Sequence, residues 1–377
     1  TVEGVLTGDS ATVTGVVSGT FASANKGDGR AVTANLSQLS LSNTNYYLSG
    51  VTTALTANIT AAPILIGGLT ATNKTYNRDN VAVLTGTPVI ASGLLGSDSA
   101  TLSGTATAGT FASLNAGNGI AVTPTLTDLS LNNSNYTIAG IDTVMTANIT
   151  PASVTISGLS VANKVYNGTT AVTLSGTPTA YGVISGDTAS VSGAVSANFV
   201  SANVGTGIAV TPSLGGLTLS NANYQITGIT TALAANITAA PLTVTADNKT
   251  MVYGSSTPAF TYAYTGLVGS DTSASFSGAI ATNATSTASV GNTYTITQGT
   301  LASSGNYSIT TFNAGRVTIA PRPVTVTVDA GQAKAYGNAD PSVFTATIQA
   351  QGTDVGLLTG STLGGSLARA TGENVSV

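Results

Sequence analysis

The sequence predicts an all-β protein: tandem immunoglobulin-like antiparallel β-sandwich domains in an elongated rod. Three observations lead there. A ten-residue phrase is written three times, as LSNTNYYLSG (41–50), LNNSNYTIAG (131–140) and LSNANYQITG (219–228). Runs such as VTVTV (324–328), LTVTA (242–246) and SVTIS (153–157) alternate apolar and polar residues, the pattern of half-buried strands. Gly, Asn and Asp recur about every eight to twelve residues, the turn spacing of a sandwich, and no stretch carries helical periodicity.

The repeat rests on several landmarks that keep one period. Phe21, Phe111 and Phe199 step by 90 and 88 residues, and so do Tyr46, Tyr136 and Tyr224. TANIT (56–60) returns at 146–150 and as AANIT at 234–238; NKTY (73–76) returns as NKVY (163–166). After residue 240 the words loosen into NKTMVYG (248–254), GSDT (269–272) and SGNYSI (304–309), and KAYGNADP (334–341) opens another round. Each unit opens near Pro63, Pro151, Pro241 or Pro321. We therefore expect a partial repeat at 1–60, complete repeats at 61–150, 151–239 and 240–320, and a partial repeat at 321–377, the whole reading as a piece of a longer chain. A period of about 89 is too long for a solenoid coil and suits a small domain.

Within a sandwich of that size, the recurring rings are the candidate core anchors: Phe21, Tyr46, Tyr76, Phe111, Tyr136, Tyr166, Phe199, Tyr224, Tyr253, Tyr307 and Tyr336. Each repeat is expected to nucleate its own hydrophobic centre. The Asn before the phrase Tyr suits a turn in left-handed geometry. The Tyr would bury its ring and hydrogen-bond a backbone group, as a tyrosine corner does. The rival reading is a row of exposed tyrosines that stacks on sugars. Short Pro-bearing linkers restrict hinge motion and favour a semi-rigid rod.

Composition excludes several classes. Charged residues are 6% of the chain against roughly 25% in ordinary domains. With ten Lys and Arg and a net charge of −4, no cluster of cations is available for a nucleic-acid partner. Cys, His and Trp are absent, which removes disulfides, thiolate metal sites and His-based catalysis. No apolar run approaches the ~20 residues of a membrane-spanning helix. No acid, base and nucleophile recur together, so no enzyme and no cofactor are expected.

The stretches NKVYNGTTAVTLSGTP (163–178) and NITPASVTI (148–156) resemble the YDG repeat of large filamentous-haemagglutinin-like surface adhesins of Gram-negative bacteria. Residues 246–328, followed by AKAYGNADPSVF, resemble the companion MBG repeat in its YG-containing form. The resemblance implies export across the outer membrane and a place on the cell surface or in an extracellular filament. One departure stands out: the family's Tyr-Asp-Gly reads Tyr76-Asn77-Arg78 and Tyr166-Asn167-Gly168.

Two chemistries are open at particular residues. Lys74, Asn148 and Asp98, and likewise Lys164, Asn236 and Asp187, carry the residue types of an intramolecular Lys–Asn isopeptide bond assisted by a buried acid. The simpler reading is an edge-strand Lys and a turn Asp. Calcium would need several carboxylates together, whereas Asp9, Asp98, Asp187 and Asp271 stand singly and Asp28 alone resembles a loop ligand. The function expected is a structural stalk or filament segment, its partners the neighbouring domains of the same chain and, by strand addition, other copies in a filament. The alternative is a module that binds a glycan or surface ligand.

Overall fold

The alternating Thr- and Val-rich runs form strands along nearly the whole computed structural model, which describes residues 1–370; positions 371–377 of the partial repeat expected at the end lie outside the described residues. Among the described residues the helical content is one 3-10 turn, Leu214–Gly216. Contacts gather the chain into two compact units that interleave in sequence. One comprises residues 1–157, 179–192 and 218–229; the other comprises 158–178, 193–217 and 230–377. The division thus runs through the stretch expected to be one repeat at 151–239.

In the first unit, the strand Ala62–Ala71 alternates buried and exposed positions, with Ile64 and Ile66 fully buried. It pairs antiparallel with the long strand Val81–Ser92, whose earlier half continues onto Ala108–Phe111. The long strand therefore belongs to both ladders. Gly86 sits where it bends, at φ 99°, and a Cβ there would lie 2.2 Å from the Gly68 carbonyl oxygen, so a side chain is excluded. Gly117–Pro124 and Met145–Thr150 extend the second ladder.

Ladders between strands adjacent in sequence are antiparallel, in line with the expectation. Alternation is blind to strand direction, however, and each repeat also closes on itself with parallel pairs. Tyr136–Ile141 runs parallel to Ala62–Ala71, and Met145–Thr150 parallel to Lys74–Thr75. Parallel neighbours need a long crossover, and here the body of the repeat supplies it. Asn73 Oδ1 accepts the Asn148 N–H at 2.8 Å, which pins the N-K-x-Y strand to the last strand of its repeat. Asn148 Oδ1 in turn accepts the Gly119 N–H at 2.8 Å, at an irregular register between Gly117 and Ile120. The recurring words NKxY, GxG and NIT are the three parts of this one closure.

The expectation of one hydrophobic centre per repeat is corrected. A front centre of Ile64, Ile66, Ala106, Leu129 and Tyr136 does lie within residues 61–150. The second centre joins Tyr76, Phe111, Val122, Met145 and Ile149 to Ala152, Val154 and Tyr224 of the following repeat. The reason is geometric: the apolar face of the second ladder is covered by the opening strand Ala152–Ser157 and by Tyr224–Ile229, which runs parallel beside it. Tyr136 and Tyr224 occupy different centres.

In the second unit, the strands Lys164–Val165, Leu233–Thr238, Gly205–Ser213, Ser196–Phe199 and Ala171–Val172 form one ladder in that order. It reproduces the second ladder of the first unit, again with a parallel Lys164–Ile237 pairing. Residues 240–320 carry their own centre around Val244, Met251, Ile296, Val317 and Ile319. There Ala240–Ala246 pairs parallel with Tyr307–Asn313, and Tyr262 and Tyr264 crowd the Phe276 ring.

Among the proposed anchors, Tyr76, Phe111, Tyr136, Tyr166, Phe199, Tyr224 and Tyr307 are buried, while Tyr46 and Tyr253 are half-buried. Two are corrections. Phe21 is 40% exposed, because its three-stranded sheet has no strand beside it equivalent to Val81–Ser92 or Lys74–Thr75. Tyr336 is 84% exposed, in a turn flanked by the single ladder of Val326–Val328 with Ala346–Ile348.

A shared centre makes a specific prediction. Ile149→Ala should destabilise by about 2–5 kcal/mol, as for other buried Ile truncations. Amide exchange should quicken not only in 81–150 but also in Ala152–Ser157 of the next repeat; a loss confined to residues before 151 would contradict the shared core.

Candidate functional site

The three copies of the ten-residue phrase and the looser SGNYSI stretch build the same device four times. An Asp closes a tight turn, and a Tyr 36 to 38 residues later donates its hydroxyl to that carboxylate. The distances are 2.8 Å for Tyr46–Asp9, 2.7 Å for Tyr136–Asp98, 2.7 Å for Tyr224–Asp187 and 2.6 Å for Tyr307–Asp271. Each hydroxyl also accepts a backbone N–H from the Asp turn: Leu6, Leu95, Ile184 and Val268, at 3.0 to 3.2 Å. The expected backbone partner is therefore present, but the carboxylate is the partner that alternation and composition did not show. The near-constant Asp-to-Tyr spacing was the available signal.

The phrase Asn residues are not left-handed; among the described residues the non-Gly positive φ angles belong to Arg78 and Asp354. Asn133 and Asn221 instead cap the turn by accepting the N–H of Asn135 and Asn223. That frees the second Asn to reach the repeat before. Asn223 Oδ1 accepts the Ala116 N–H at 2.7 Å, and its Nδ2 donates to Asn115 at 3.0 Å. Asn306 makes the same pair with Val204 and Asn203, and Asn135 with Lys26 and Asn25.

A second phenol completes the joint. Tyr76, from the N-K-x-Y strand of one repeat, donates to the same Asp187 Oδ2 at 2.8 Å that receives Tyr224 of the next. The two rings meet edge to face with centroids 5.6 Å apart and an interplanar angle of 78°. In the second compact unit, Tyr166 donates to Asp271 Oδ2 at 3.0 Å and meets the Tyr307 ring at 5.6 Å and 77°. One carboxylate oxygen thus ties two repeats together through two neutral donors, and the edge-to-face contact adds to it.

Arg78 marks a difference between the two joints. It stands at φ 71°, where the other joint has Gly168 at φ 74°. A left-handed Arg is strained by roughly 1–2 kcal/mol. Its guanidinium is 3.0 Å from Asp187 Oδ1 and also donates to the Ser185 carbonyl. The family's Asp position, Asn77 here, accepts the Asp79 N–H and so serves the turn, as Asn167 does for Thr169.

Burial and bonding shape the titration of the joint. The hydroxyls of Tyr224 and then Tyr76 hold the Asp187 carboxyl below the usual carboxylate range, with Arg78 a lesser contributor. The Tyr76 and Tyr166 phenols are pushed up chiefly by their hydrogen bonds to Asp187 and Asp271. Those of Tyr224 and Tyr307 are pushed up chiefly by burial and then by the same carboxylates. Protonating the carboxylate, or ionising either phenol, breaks the donor–acceptor match.

The residues named for an isopeptide bond serve separate purposes in the structure. The Lys74 ammonium pairs with Asp79 and donates to the carbonyls of Asp79 and Val81; Lys164 donates to Asn167, Thr169 and Ala171 and lies 5.3 Å from the Phe199 ring centre. Each Lys thus pins the turn after its Tyr. Asn148 and Asn236 accept the N–H of Gly119 and Gly207, and Asp98 and Asp187 accept phenols. Burial lowers the pKa of Lys164, but its donors are directed at acceptors rather than at an amide carbon. The carboxylates of Asp9, Asp98, Asp187 and Asp271 are likewise occupied by tyrosines.

An all-β chain of tandem repeats, joined by a recurrent Tyr–Asp contact, is the class that fold and site define. The YDG domain matches residues 60–144 and again 150–232, and the MBG domain of YGX type matches residues 242–318. The chain is thus a YDG/MBG repeat region. Both are repeat modules of the adhesin kind rather than catalytic families. Among solved structures, the N-terminal four Ig domains of Dscam1 isoform 7.44 align over 78% of this chain and 80% of that one, at 12% identity and a TM-score of 0.13, a likeness too slight to carry argument. No curated protein matches the chain.

The joint predicts a pH window. The Asp187 pKa is lowered on folding, so its contribution is present above about pH 4 and is lost as pH falls through the folded value. The phenol values are raised, so their contribution is present below about pH 10 and is lost as pH rises through the folded values. In denaturant titrations, the stability gap between the parent and Asp187→Asn should be flat near neutrality and shrink in acid. Tyr76→Phe should weaken the joint by about 1 kcal/mol at pH 7.

Proposed function

We propose that this chain is a structural stalk or filament segment of a secreted surface adhesin of a Gram-negative bacterium, of the filamentous-haemagglutinin-like kind. It works as a semi-rigid spacer in cell adhesion or extracellular fibre formation. The observation that supports this reading is the repeated joint: within each compact unit, a repeat meets its neighbour through two phenols on one carboxylate oxygen and an Asn bridge. Such a contact restrains bending at a repeat boundary without a cofactor or a covalent link. The YDG and MBG modules support a place outside the cell. The chain's partners are then the neighbouring domains of the same polypeptide.

The rival sugar-binding ladder draws no support from the phrase tyrosines, since Tyr136, Tyr224 and Tyr307 are turned inward. Two measurements test the reading. Electron micrographs of the purified chain should show extended particles of one length, and a compact globule would overturn the spacer role. A glycan array probed with the purified chain should show no robust binding; strong, saturable binding would favour an adhesive module instead.

A further inference from the structure

The two complete joints share their tyrosines and carboxylate but differ in one matched pair of elements, and the difference has a steric consequence. In the joint at Asp187, the turn reads Ile184-Ser185-Gly186-Asp187, with glycine in the second central position at φ 91°. In the joint at Asp271, it reads Val268-Gly269-Ser270-Asp271, with glycine in the first central position at φ 61°. Moving the glycine between these positions changes a type II turn into its mirror type and reverses the direction of the central carbonyl. The type II turn aims the Ser185 carbonyl at Arg78, which donates to it. It also leaves no side chain at 186, where a Cβ would lie 2.2 Å from Arg78 Nη1. The other joint presents Gly168 opposite its turn and has no guanidinium to house.

We infer that Arg78 and the Ser185-Gly186 turn form a key that commits repeat 61–150 to the repeat that follows it and rejects docking on a turn of the Gly269-Ser270 kind. The inference rests on the joint described above and adds an ordering rule to it. Arrays of near-identical repeats risk pairing in the wrong order or exchanging elements between copies, because the same words recur at high local concentration. The tyrosines cannot discriminate between the two complete joints, since both carry them. Arg78 can: on a mirror-type turn it would face a serine side chain in place of Gly186 and lose its carbonyl acceptor. Its charge matters less than its fit, because the side chain is 44% exposed and the ion pair to Asp187 is screened. The key therefore works chiefly by carbonyl direction: on the wrong turn Arg78 swings clear of a side chain at 186 only by giving up its carbonyl acceptor.

The test is a double-mutant cycle in the full chain. The variants are Arg78→Gly, the turn reversal Ser185→Gly with Gly186→Ser, and the two combined. The readout is amide-exchange protection at Ile184, whose N–H reports the joint through the Tyr224 hydroxyl. With Arg78 present, the reversal should lower protection by about tenfold; with Arg78→Gly, it should change protection by less than about twofold. If the reversed turn prevents folding with Arg78 but permits it with Arg78→Gly, the key stands. Equal losses in both backgrounds, or failure of the combined variant to fold, would overturn it. Absent coupling together with extended particles in micrographs removes the key and leaves the spacer reading intact. Normal coupling in a globular particle does the reverse.

Discussion

One carboxylate oxygen shared by two phenols, one from its own repeat and one from the repeat before, is the contact on which the joints depend. A chain with 6% charged residues has few ions to place at its boundaries. A carboxylate withdrawn from water needs its lone pairs filled. Two tyrosines meet that need with neutral donors, so no second buried charge is introduced. Their rings bring apolar area to the same place, and the edge-to-face contact fits both into a small volume. A contact made of carboxylate–phenol hydrogen bonds within a packed interior is also little affected by salt, unlike an exposed ion pair.

The joint works because the cores are arranged to receive it. The second ladder of repeat 61–150 leaves its apolar face to be covered by Ala152, Val154 and Tyr224. Tyr224 therefore has two functions: its ring fills the centre of the repeat before, and its hydroxyl holds its own Asp turn. Parallel closure links both functions to the chain path. The pairing of Ala152 with Tyr224 and of Ile149 with Lys74 places the N-K-x-Y strand and the phrase on opposite sides of a short connection around residue 151. Coupling of this nearest-neighbour kind makes a repeat's stability depend on the next one.

Much of this was legible in the sequence, and what escaped it did so for a definable reason. Period, strand character and the identity of the recurring rings follow from spacing and alternation alone. The pairing of words does not. Tyr76 meets Asp187 at a separation of 111 residues, one period plus part of another. In a periodic sequence, that contact looks the same as one made within a repeat. Parallel closure was hidden too, because a strand alternates identically whichever way it runs. The role of Lys was hidden similarly: residue types alone left a cross-link open beside the simpler turn reading, and in the structure Lys74 and Lys164 serve turns three to seven residues away. Arg78 was visible as a departure from the family triplet. Its meaning required the backbone angle and the glycine facing it.

The junction after residue 320 shows that the tyrosine–carboxylate pair is one chemical answer among others. There the N-K-x-Y counterpart is Tyr253, half-buried, and the segment that follows the MBG domain brings Arg322 rather than an acidic turn. Arg322 donates to the carbonyls of Tyr253, Val355 and Gly356 at 3.3, 2.8 and 2.8 Å, and to that of Gly352. A planar guanidinium with five donors suits a nest of carbonyls as a carboxylate suits a pair of hydroxyls. In both cases an ionised group in the middle is held mainly by neutral groups, with the Arg78 guanidinium as an added contact at Asp187. The polarity is inverted, acceptor at the centre in one and donor at the centre in the other, so neither centre can substitute for the other. A tyrosine presented to Arg322 would find no acceptor, and a carbonyl presented to Asp187 would find no donor. Hydrogen-bond polarity thus distinguishes this boundary from the joints at Asp187 and Asp271, where the centre accepts instead of donating.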